Sequence, residues 1–488
     1  MKTLLFTSTA VLLLAGCAVG PNYKRPAPFG SSPMPEAFDG ATVTNDQWKL
    51  AQPSASLPRG AWWEVFGDPE LNRLEAQATT NNQQLAAALA NFQQARALVN
   101  ISRAGYFPQI SANPAFNRQR TSANQASRGT VTGSSVTFDT FSVTFDATWE
   151  LDLWGRVRRA VEGSRARMAA VADDLESLKL TIQAEVAIDF FILKSQDAQY
   201  RLFEETVVTY KRSLELTQNR HRSGIATELD VSQAETQLHA AEAQIPAIDL
   251  QRTNVRHALA TLCGQPATSF ALSETANSLS VPAFPAELPS ELLEHRPDIA
   301  AAERRMAAAN ADVGVAHAAF YPTVTLNGLA GFQSISASTL FNWESRLWSV
   351  GPTLSLPLFT GGRNRAQLAA ARAAYDATVA DYRQTVLSAF QEVEDQLAAQ
   401  RLLAQQYAAE DAALKSARRT LEISLSRYKG GVITYLEVAV AQGIALNHEQ
   451  TVVQLNATRL ASSVALIKAL GAGWTAPEAK PELLKAVR

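Results

Sequence analysis

The 488-residue sequence lacks most of the features on which enzymes and nucleic-acid-binding proteins depend. It has only two cysteines and no CxxC pair, which excludes a disulfide scaffold and a zinc site of the finger type. Lys and Arg number 44 against 46 Asp and Glu, so the basic excess of a nucleic-acid surface is missing. No apolar run reaches the roughly 18 residues of a membrane-spanning helix. If the chain crosses a membrane, it must therefore do so with strands.

Residue patterns for catalysis or metal binding are missing as well. The chain has six histidines, and three of them (His221, His239 and His257) are spaced by 18 residues; even on one helix face each step would be roughly 27 Å, too far for a shared metal ion. Gly361 and Gly362 precede a helix without the Lys and Ser/Thr of a phosphate-binding loop. We therefore predict that the protein is not an enzyme and holds no metal and no cofactor.

The first seventeen residues have the pattern of a processing signal. Lys2 is followed by the apolar core Leu4 to Leu14 and by small residues before Cys17, which is typical of a secretory signal. The end of this segment resembles the lipobox of bacterial lipoproteins. The resemblance implies cleavage before Cys17, covalent lipid on Cys17 and, because Ala18 follows, transfer to the outer membrane. The alternative is an ordinary signal peptide with an incidental cysteine. Once Cys17 carries lipid, Cys263 has no disulfide partner.

An internal duplication dominates the rest of the chain. From Gly155/Gly362 to Gly264/Gly471 the two copies align at an offset of 207, whereas upstream the offset is 214, so the second copy is seven residues shorter at a surface loop. Each copy has an Ala-rich helical pattern, an alternating region, a very long helix, a glycine turn and a return helix. The paired long helices are Arg156 to Arg222 and Arg363 to Lys429; the turns are 223–227 and 430–434.

Strict alternation of polar and apolar residues follows in the segment from Thr140 to Leu153. This period predicts a strand longer than the roughly 9–11 residues needed to cross a bilayer. The second copy alternates similarly from Trp348 to Leu358, and shorter runs precede both, which predicts β-hairpins over 108–153 and 322–359. The alternative is a soluble β-sandwich in which one face of each sheet is exposed to solvent. Four strands cannot close a barrel, and open edges in lipid are costly, so three chains would supply twelve strands.

Four motifs make the sequence resemble a known family. The segments are Cys17 to Pro26, Trp62 to Leu71, Asp152 to Arg156 and Leu288 to Glu303. Together they resemble the TolC family of outer-membrane factors, and more closely its NodT-type lipoprotein branch. The resemblance implies a trimeric outer-membrane β-barrel, a long helical tunnel through the periplasm, and a belt of mixed structure around that tunnel. It also implies a periplasmic adaptor and an inner-membrane pump, commonly of the resistance-nodulation-division type.

The predicted fold class is accordingly an α+β membrane protein with an internal duplication. Three chains form a trimeric 12-stranded outer-membrane β-barrel, with four strands per chain, continued by a long periplasmic α-helical barrel with an equatorial mixed α/β belt. The predicted organisation is a signal peptide over 1–16, a lipidated N-terminal segment with belt over 17–75, repeat 1 over 76–264, an equatorial linker over 265–294, repeat 2 over 295–473 and a tail over 474–488.

The predicted function is the exit duct of a tripartite efflux or export system. The alternative is a periplasmic lipoprotein that acts as a coiled-coil adaptor or scaffold, against which the membrane-type alternation argues. Residues that recur at both turns are predicted to bind the adaptor: Arg220, Gly224, Thr227, Leu229, Arg427, Gly431 and Thr434. No Met-rich or His-rich segment points to metal export.

A channel constriction is predicted on the second return helix. In the family that the sequence resembles, this helix carries an apolar ring followed by an aspartate ring. Leu436 occupies the apolar position, but Val440 stands where the aspartate is expected. Residues four apart share a helix face, so three copies would form two stacked apolar rings, which block ions by dewetting. The alternative is that Leu436 and Val440 only pack the helical tube.

Overall fold

The computed structural model describes residues 18–28, 60–124, 126–127, 130–131, 135–272 and 296–472. The signal peptide, the modification predicted at Cys17 and the tail over 474–488 lie outside the described residues. The same is true of much of the N-terminal segment and of the equatorial linker.

Long helices make up most of the described chain. Two of them have 67 residues each, and their bounds confirm the long helices that the sequence predicts. At 1.5 Å per residue each is about 100 Å long. Among the helices that the structure describes, none is apolar enough over a sufficient length to cross a membrane. The helices are α1 (Pro69–Asn81), α2 (Gln83–Ala104), α3 (Arg156–Arg222), α4 (Glu228–Leu262), α5 (Pro297–Ala318), α6 (Arg363–Lys429) and α7 (Tyr435–Ala469).

One four-stranded antiparallel sheet contains both predicted hairpins. Its strands are β1 (Gln109–Arg120), β4 (Thr137–Leu151), β5 (Thr323–Ser334) and β6 (Arg346–Ser355), in the order β1-β4-β5-β6. The last strand of the first copy therefore pairs with the first strand of the second. Two short strands, β2 (Ala126–Ser127) and β3 (Thr130–Val131), pair within the loop between β1 and β4.

The end of β6 differs from the prediction. The alternation was expected to continue through Leu356 and Leu358, but the strand ends at Ser355. Pro357 lies between the two leucines, and proline has no N–H with which to continue a ladder of hydrogen bonds. The alternation of polar and apolar residues thus extends three residues beyond the end of the hydrogen-bonded strand at Ser355.

The chain divides into two compact units, and neither corresponds to one repeat. The first contains the described residues within Met1–Ala27, Asn91–Val171 and Ala301–Tyr382; the second contains those within Pro28–Ala90, Ala172–Ala300 and Arg383–Arg488. Each unit takes segments from both repeats. The first does so because β4 and β5 hydrogen-bond to each other, so neither copy can complete its share of the sheet alone.

The core of the second unit explains the tryptophan motif near the N-terminus. Asp68 caps α1 by accepting hydrogen bonds from the backbone N–H groups of Glu70 and Leu71, as N-cap carboxylates do. Leu71 and Leu74 on this helix are fully buried. The ring of Phe66 lies 4.9 Å from that of Phe191 on α3. The motif is therefore a packing element.

Arg296 has a structural role in the second unit. It is buried and donates hydrogen bonds to Asp298 and, at 2.8 Å each, to Glu392 on α6 and to the carbonyl oxygen of Ala469 on α7. Asp298 also accepts the N–H of Ile299 in the first turn of α5. Because a buried guanidinium is costly without partners, this network holds the start of α5 against the two other helices.

One carboxyl group in the same core is buried without a hydrogen-bond partner among the described residues. Glu75 on α1 is 0 % exposed, and neither of its carboxyl oxygens has a partner there. Burial raises the pKa of Glu75 to about 9, because desolvation disfavours the charged form. The side chain is therefore protonated at neutral pH. Burial likewise raises the pKa of the free thiol of Cys263 to about 11.

Candidate functional site

The sheet has one apolar face that continues across all four strands. Directly opposed residues on paired strands lie on the same face, and apolar residues oppose apolar residues in every pair of strands. Phe145 is 54% exposed on this face and Trp348 is 74% exposed. The pairs on this face include Ile110 with Ala147, Phe116 with Phe141, Phe145 with Ala330, Trp149 with Leu326, Ala330 with Trp348, and Val324 with Leu354.

The opposite face of the sheet is polar. Asn113 donates a hydrogen bond to Asp146 on the neighbouring strand, and Asn327 donates one to Thr353 at 3.0 Å. Thr144 and Thr148 belong to the same set, since they alternate with the apolar residues of β4. A sheet with one apolar and one polar face matches the wall of a membrane barrel, which is apolar toward lipid and polar inside.

Both edges of this sheet are open in the described part of the chain. Strand β1 pairs only with β4, and β6 pairs only with β5. Each edge therefore presents a row of backbone N–H and C=O groups without partners. In hydrocarbon an unpaired group costs several kcal/mol.

Aromatic residues cluster where the strands meet the helices. The indole N–H of Trp149 donates to the Tyr106 carbonyl oxygen at 3.1 Å, and that of Trp154 donates to the Pro322 carbonyl oxygen at 2.8 Å. The rings of Trp154 and Tyr321 stack with centroids 5.0 Å apart. Such rings mark the boundary between lipid and water in membrane proteins. This aromatic belt places the boundary at the strand ends that adjoin α3 and α5.

Two glycine turns reverse the chain between the long and return helices. Gly224 has φ of 72° and Gly431 has φ of 75°, a left-handed conformation that glycine adopts without strain. Thr227 forms a capping box with Asp230 at the start of α4. Thr434, its counterpart in the second copy, makes no such side-chain bond. We refer to the segments 220–230 and 427–440 as the first and second tips.

The two tips differ at aligned positions. In the first tip His221 and Glu228 are exposed, and the imidazole Nε2 of His221 lies 3.4 Å from a carboxylate oxygen of Glu228. At the offset of 207, the second tip has Tyr428 and Tyr435, which are buried and pack edge to face with centroids 5.5 Å apart. The Tyr428 hydroxyl donates to Thr217 on α3 at 3.2 Å. The second tip is therefore packed on the first hairpin.

Arg220 and Arg427 are also not equivalent, although the duplication predicts equal roles. The guanidinium of Arg220 lies 4.8 Å from the centroid of the Tyr428 ring and donates to the Lys429 carbonyl oxygen at 3.3 Å. Arg427 is exposed. Arg220 thus joins the two hairpins, whereas the side chain of Arg427 is accessible.

Asp230 links the start of α4 to the start of α7. Desolvation opposes its ionisation, but hydrogen bonds donated by the backbone and hydroxyl of Thr227 and by the backbone N–H of Tyr435, together with nearby Arg220, lower the pKa of Asp230 below its usual range. One carboxylate therefore serves as a cap for two helices. Asp230 and Tyr428 were not among the predicted site residues. The sequence did offer one indication of this difference: His221 and Tyr428 stand at aligned positions of the two copies but are not the same residue type.

Exposed apolar residues continue from the second tip along α7. Leu436 is 53% exposed and Val440 is 54% exposed; Ile444, one turn further, is also exposed. These positions form one stripe, because residues four apart share a helix face. In the first tip Leu229 is exposed. The assignment of Leu436 and Val440 to a constriction, and of the tip residues to adaptor binding, remains a prediction.

These features define the class of protein: a membrane channel subunit with a sheet that is apolar on one face and with long helical hairpins. The outer membrane efflux protein family model matches residues 74–265 and 288–472. The toluene efflux pump outer membrane protein TtgF of Pseudomonas putida is 33% identical over 484 residues, covering 99% of each chain. The pyoverdine export outer membrane protein OpmQ of Pseudomonas aeruginosa is 33% identical, covering 97% of each. The solved structure of the outer-membrane channel OprN is 31% identical, covers 94% of this chain and all of that chain, and superposes with a TM-score of 0.83.

The chain belongs to the outer membrane efflux protein family. The predicted resemblance, the channel fold and the function as an outer-membrane efflux channel are thereby confirmed. The alternative of a periplasmic coiled-coil adaptor is excluded, because the family match and the similarity to OprN extend over nearly the whole described chain.

Proposed function

We propose that three copies of the chain form one duct for export across the outer membrane. The observation that supports this most directly is the pair of open edges on a sheet whose apolar face is exposed. Pairing β1 of one copy with β6 of the next removes both edges from lipid, and three copies give twelve strands. The polar face then lines the interior.

The duct works, in this proposal, with a periplasmic adaptor and an inner-membrane pump. The exposed first tip, with Leu229 and the His221–Glu228 pair, and the exposed Arg427 of the second tip supply the contact surface for the adaptor. Relatives carry names that refer to toluene and to pyoverdine. Because such different molecules pass through similar channels, we assign substrate selection to the pump.

The proposed anchor is a lipid on Cys17. The second residue after it, Val19, donates its backbone N–H to the carbonyl oxygen of Trp154 at 3.0 Å, so the described N-terminus lies beside the aromatic belt. A lipid on Cys17 would enter the membrane there. Mass spectrometry of the mature protein should find an acylated Cys17 as the first residue. An unmodified N-terminus, or cleavage elsewhere, contradicts the anchor but not the duct.

Native mass spectrometry of the full-length protein in detergent tests the trimer. The expected result is a single species of three times the chain mass. A sharper test introduces one cysteine in β1 and one in β6, because buried Cys263 with its raised pKa reacts poorly. Intermolecular disulfides that link three chains into a closed ring support the proposal. A stable monomer, or a ladder of open oligomers, refutes it.

A further inference from the structure

A cavity of about 630 Å³ in the first unit lies between the N-terminal segment and helices α5 and α6. Its volume falls within the roughly 300–1,000 Å³ of small-molecule sites. The N-terminal segment closes it through a tight crossing: Gly20 has φ of 95°, and a Cβ there would lie 2.7 Å from the Cα of Gly314. The Asn310 amide donates to the Pro21 carbonyl oxygen at 3.0 Å. These two contacts hold the N-terminal segment against α5.

Positive charge prevails among the side chains that line the cavity. Lys24 and Arg372 both line it, and neither makes an ion pair or a hydrogen bond with any described residue. Among the described residues that line the cavity, Asp376 is the only one with a carboxylate. His317 contributes a buried Nδ1 that has no hydrogen-bond partner among the described residues. Buried polar atoms without partners mark places where an absent group can bind.

The cavity lies at the level of the aromatic belt. The His317 ring is 5.9 Å from that of Tyr321 and 6.3 Å from that of Phe320. Tyr321 in turn stacks on Trp154. Strand β5 begins at Thr323, so the apolar face of the sheet starts within a few residues of the cavity. A ligand here would lie beside the start of the apolar face of the sheet.

We propose that this cavity binds the phosphate of an anionic phospholipid headgroup. Two cations and the His317 imidazole suit a phosphate, and the neighbouring apolar face accommodates acyl chains. A free phosphate ion carries the same kind of negative charge but has no acyl chains that could contact the apolar face. Arg165, the counterpart of Arg372 at the offset of 207, does not line this cavity.

The test is native mass spectrometry of the full-length protein with added phosphatidylglycerol or phosphatidylcholine of identical acyl chains. The wild type should retain phosphatidylglycerol in preference to phosphatidylcholine. The double variant Lys24→Gln/Arg372→Gln should bind phosphatidylglycerol at least tenfold more weakly. Arg165→Gln is the matched control and should bind as the wild type does. All three side chains are exposed, and equal melting temperatures would verify that the variants fold.

Three outcomes overturn the proposal. The first is that the double variant retains phosphatidylglycerol as the wild type does, which removes the cavity as the site. The second is equal retention of both lipids, which shows that the headgroup charge is not recognised. The third is displacement of phosphatidylglycerol by an equal concentration of inorganic phosphate, which identifies a free-anion site instead of a lipid site.

Discussion

The guanidinium of Arg220 lies 4.8 Å from the centroid of the Tyr428 ring, so a residue of the first hairpin is held against a residue of the second. Asp230 strengthens the same connection by accepting the backbone N–H of Tyr435. The duplicated sequence places an arginine at both tips, yet in the described part of the chain only Arg220 of the two has an aromatic partner. The tips are therefore not equivalent: the second packs on the first hairpin, and the first is exposed.

Loss of the contact between Arg220 and Tyr428 should loosen the second tip. A cation–π contact contributes about 0.5–2 kcal/mol, so Arg220→Gln should shift the balance between closed and open tips by roughly two- to thirtyfold. Single-channel conductance in planar bilayers should rise. Arg427→Gln is the control and should leave conductance unchanged. An equal rise in both variants would show that the contact does not hold the tip.

Leu436 and Val440 should limit ion flow if the exposed stripe on α7 faces the lumen. Replacing both by Ser makes the stripe polar, so dewetting no longer blocks ions, and conductance should rise severalfold. Glu437→Gln is the control on the same turn. If the double variant conducts like the wild type, and trivalent cations block both tightly, the constriction lies elsewhere and carries carboxylates.

A charge on the apolar face of the sheet should prevent assembly. Phe145→Arg places a guanidinium in lipid, at a cost of about 2–4 kcal/mol near the midplane. The fraction of assembled oligomer in outer-membrane extracts should fall. Thr144→Arg places the same charge on the polar face of the same strand and should be tolerated. Equal depletion by both variants would contradict the assignment of the two faces.

Buried Glu75 should make stability depend on pH. Its pKa is about 9 in the folded protein against 4.5 for the exposed group, so the unfolded state loses its proton first as pH rises. The stability that this group contributes is fully present below pH 4.5 and is lost as pH rises to about 9.

Melting temperatures between pH 5 and pH 8 measure this effect. Glu75→Gln should flatten the decline of the wild-type melting temperature with pH and raise stability at pH 8 by an amount on the order of a few kcal/mol. Glu64→Gln changes an exposed carboxylate nearby and should retain the wild-type slope. A Glu75→Gln variant with the slope of the wild type would show that Glu75 ionises normally.

Local sequence patterns were enough to predict the main helices and strands and their order along the chain. Strict alternation from Thr140 to Leu153 predicts a strand with two unlike faces, and β4 covers this segment as far as Leu151. The 67 residues without proline from Arg156 to Arg222 favour one uninterrupted helix. Glycine at Gly224 and Gly431 predicted both reversals. These features depend on residues close in the chain, so a local pattern suffices to find them.

The contacts between elements, and the differences between repeated residues, depend instead on how the chain folds in three dimensions. The pairing of β4 with β5, the contact of Arg220 with Tyr428 and the cavity between Lys24 and Arg372 each join residues more than 170 positions apart. Hydrophobic periodicity does not predict such contacts, because it indicates which side of a helix or strand is apolar but not which other element packs against that side. Glu75 occupies a core position for the same reason: the surrounding packing, and not its own polarity, decided where its side chain lies.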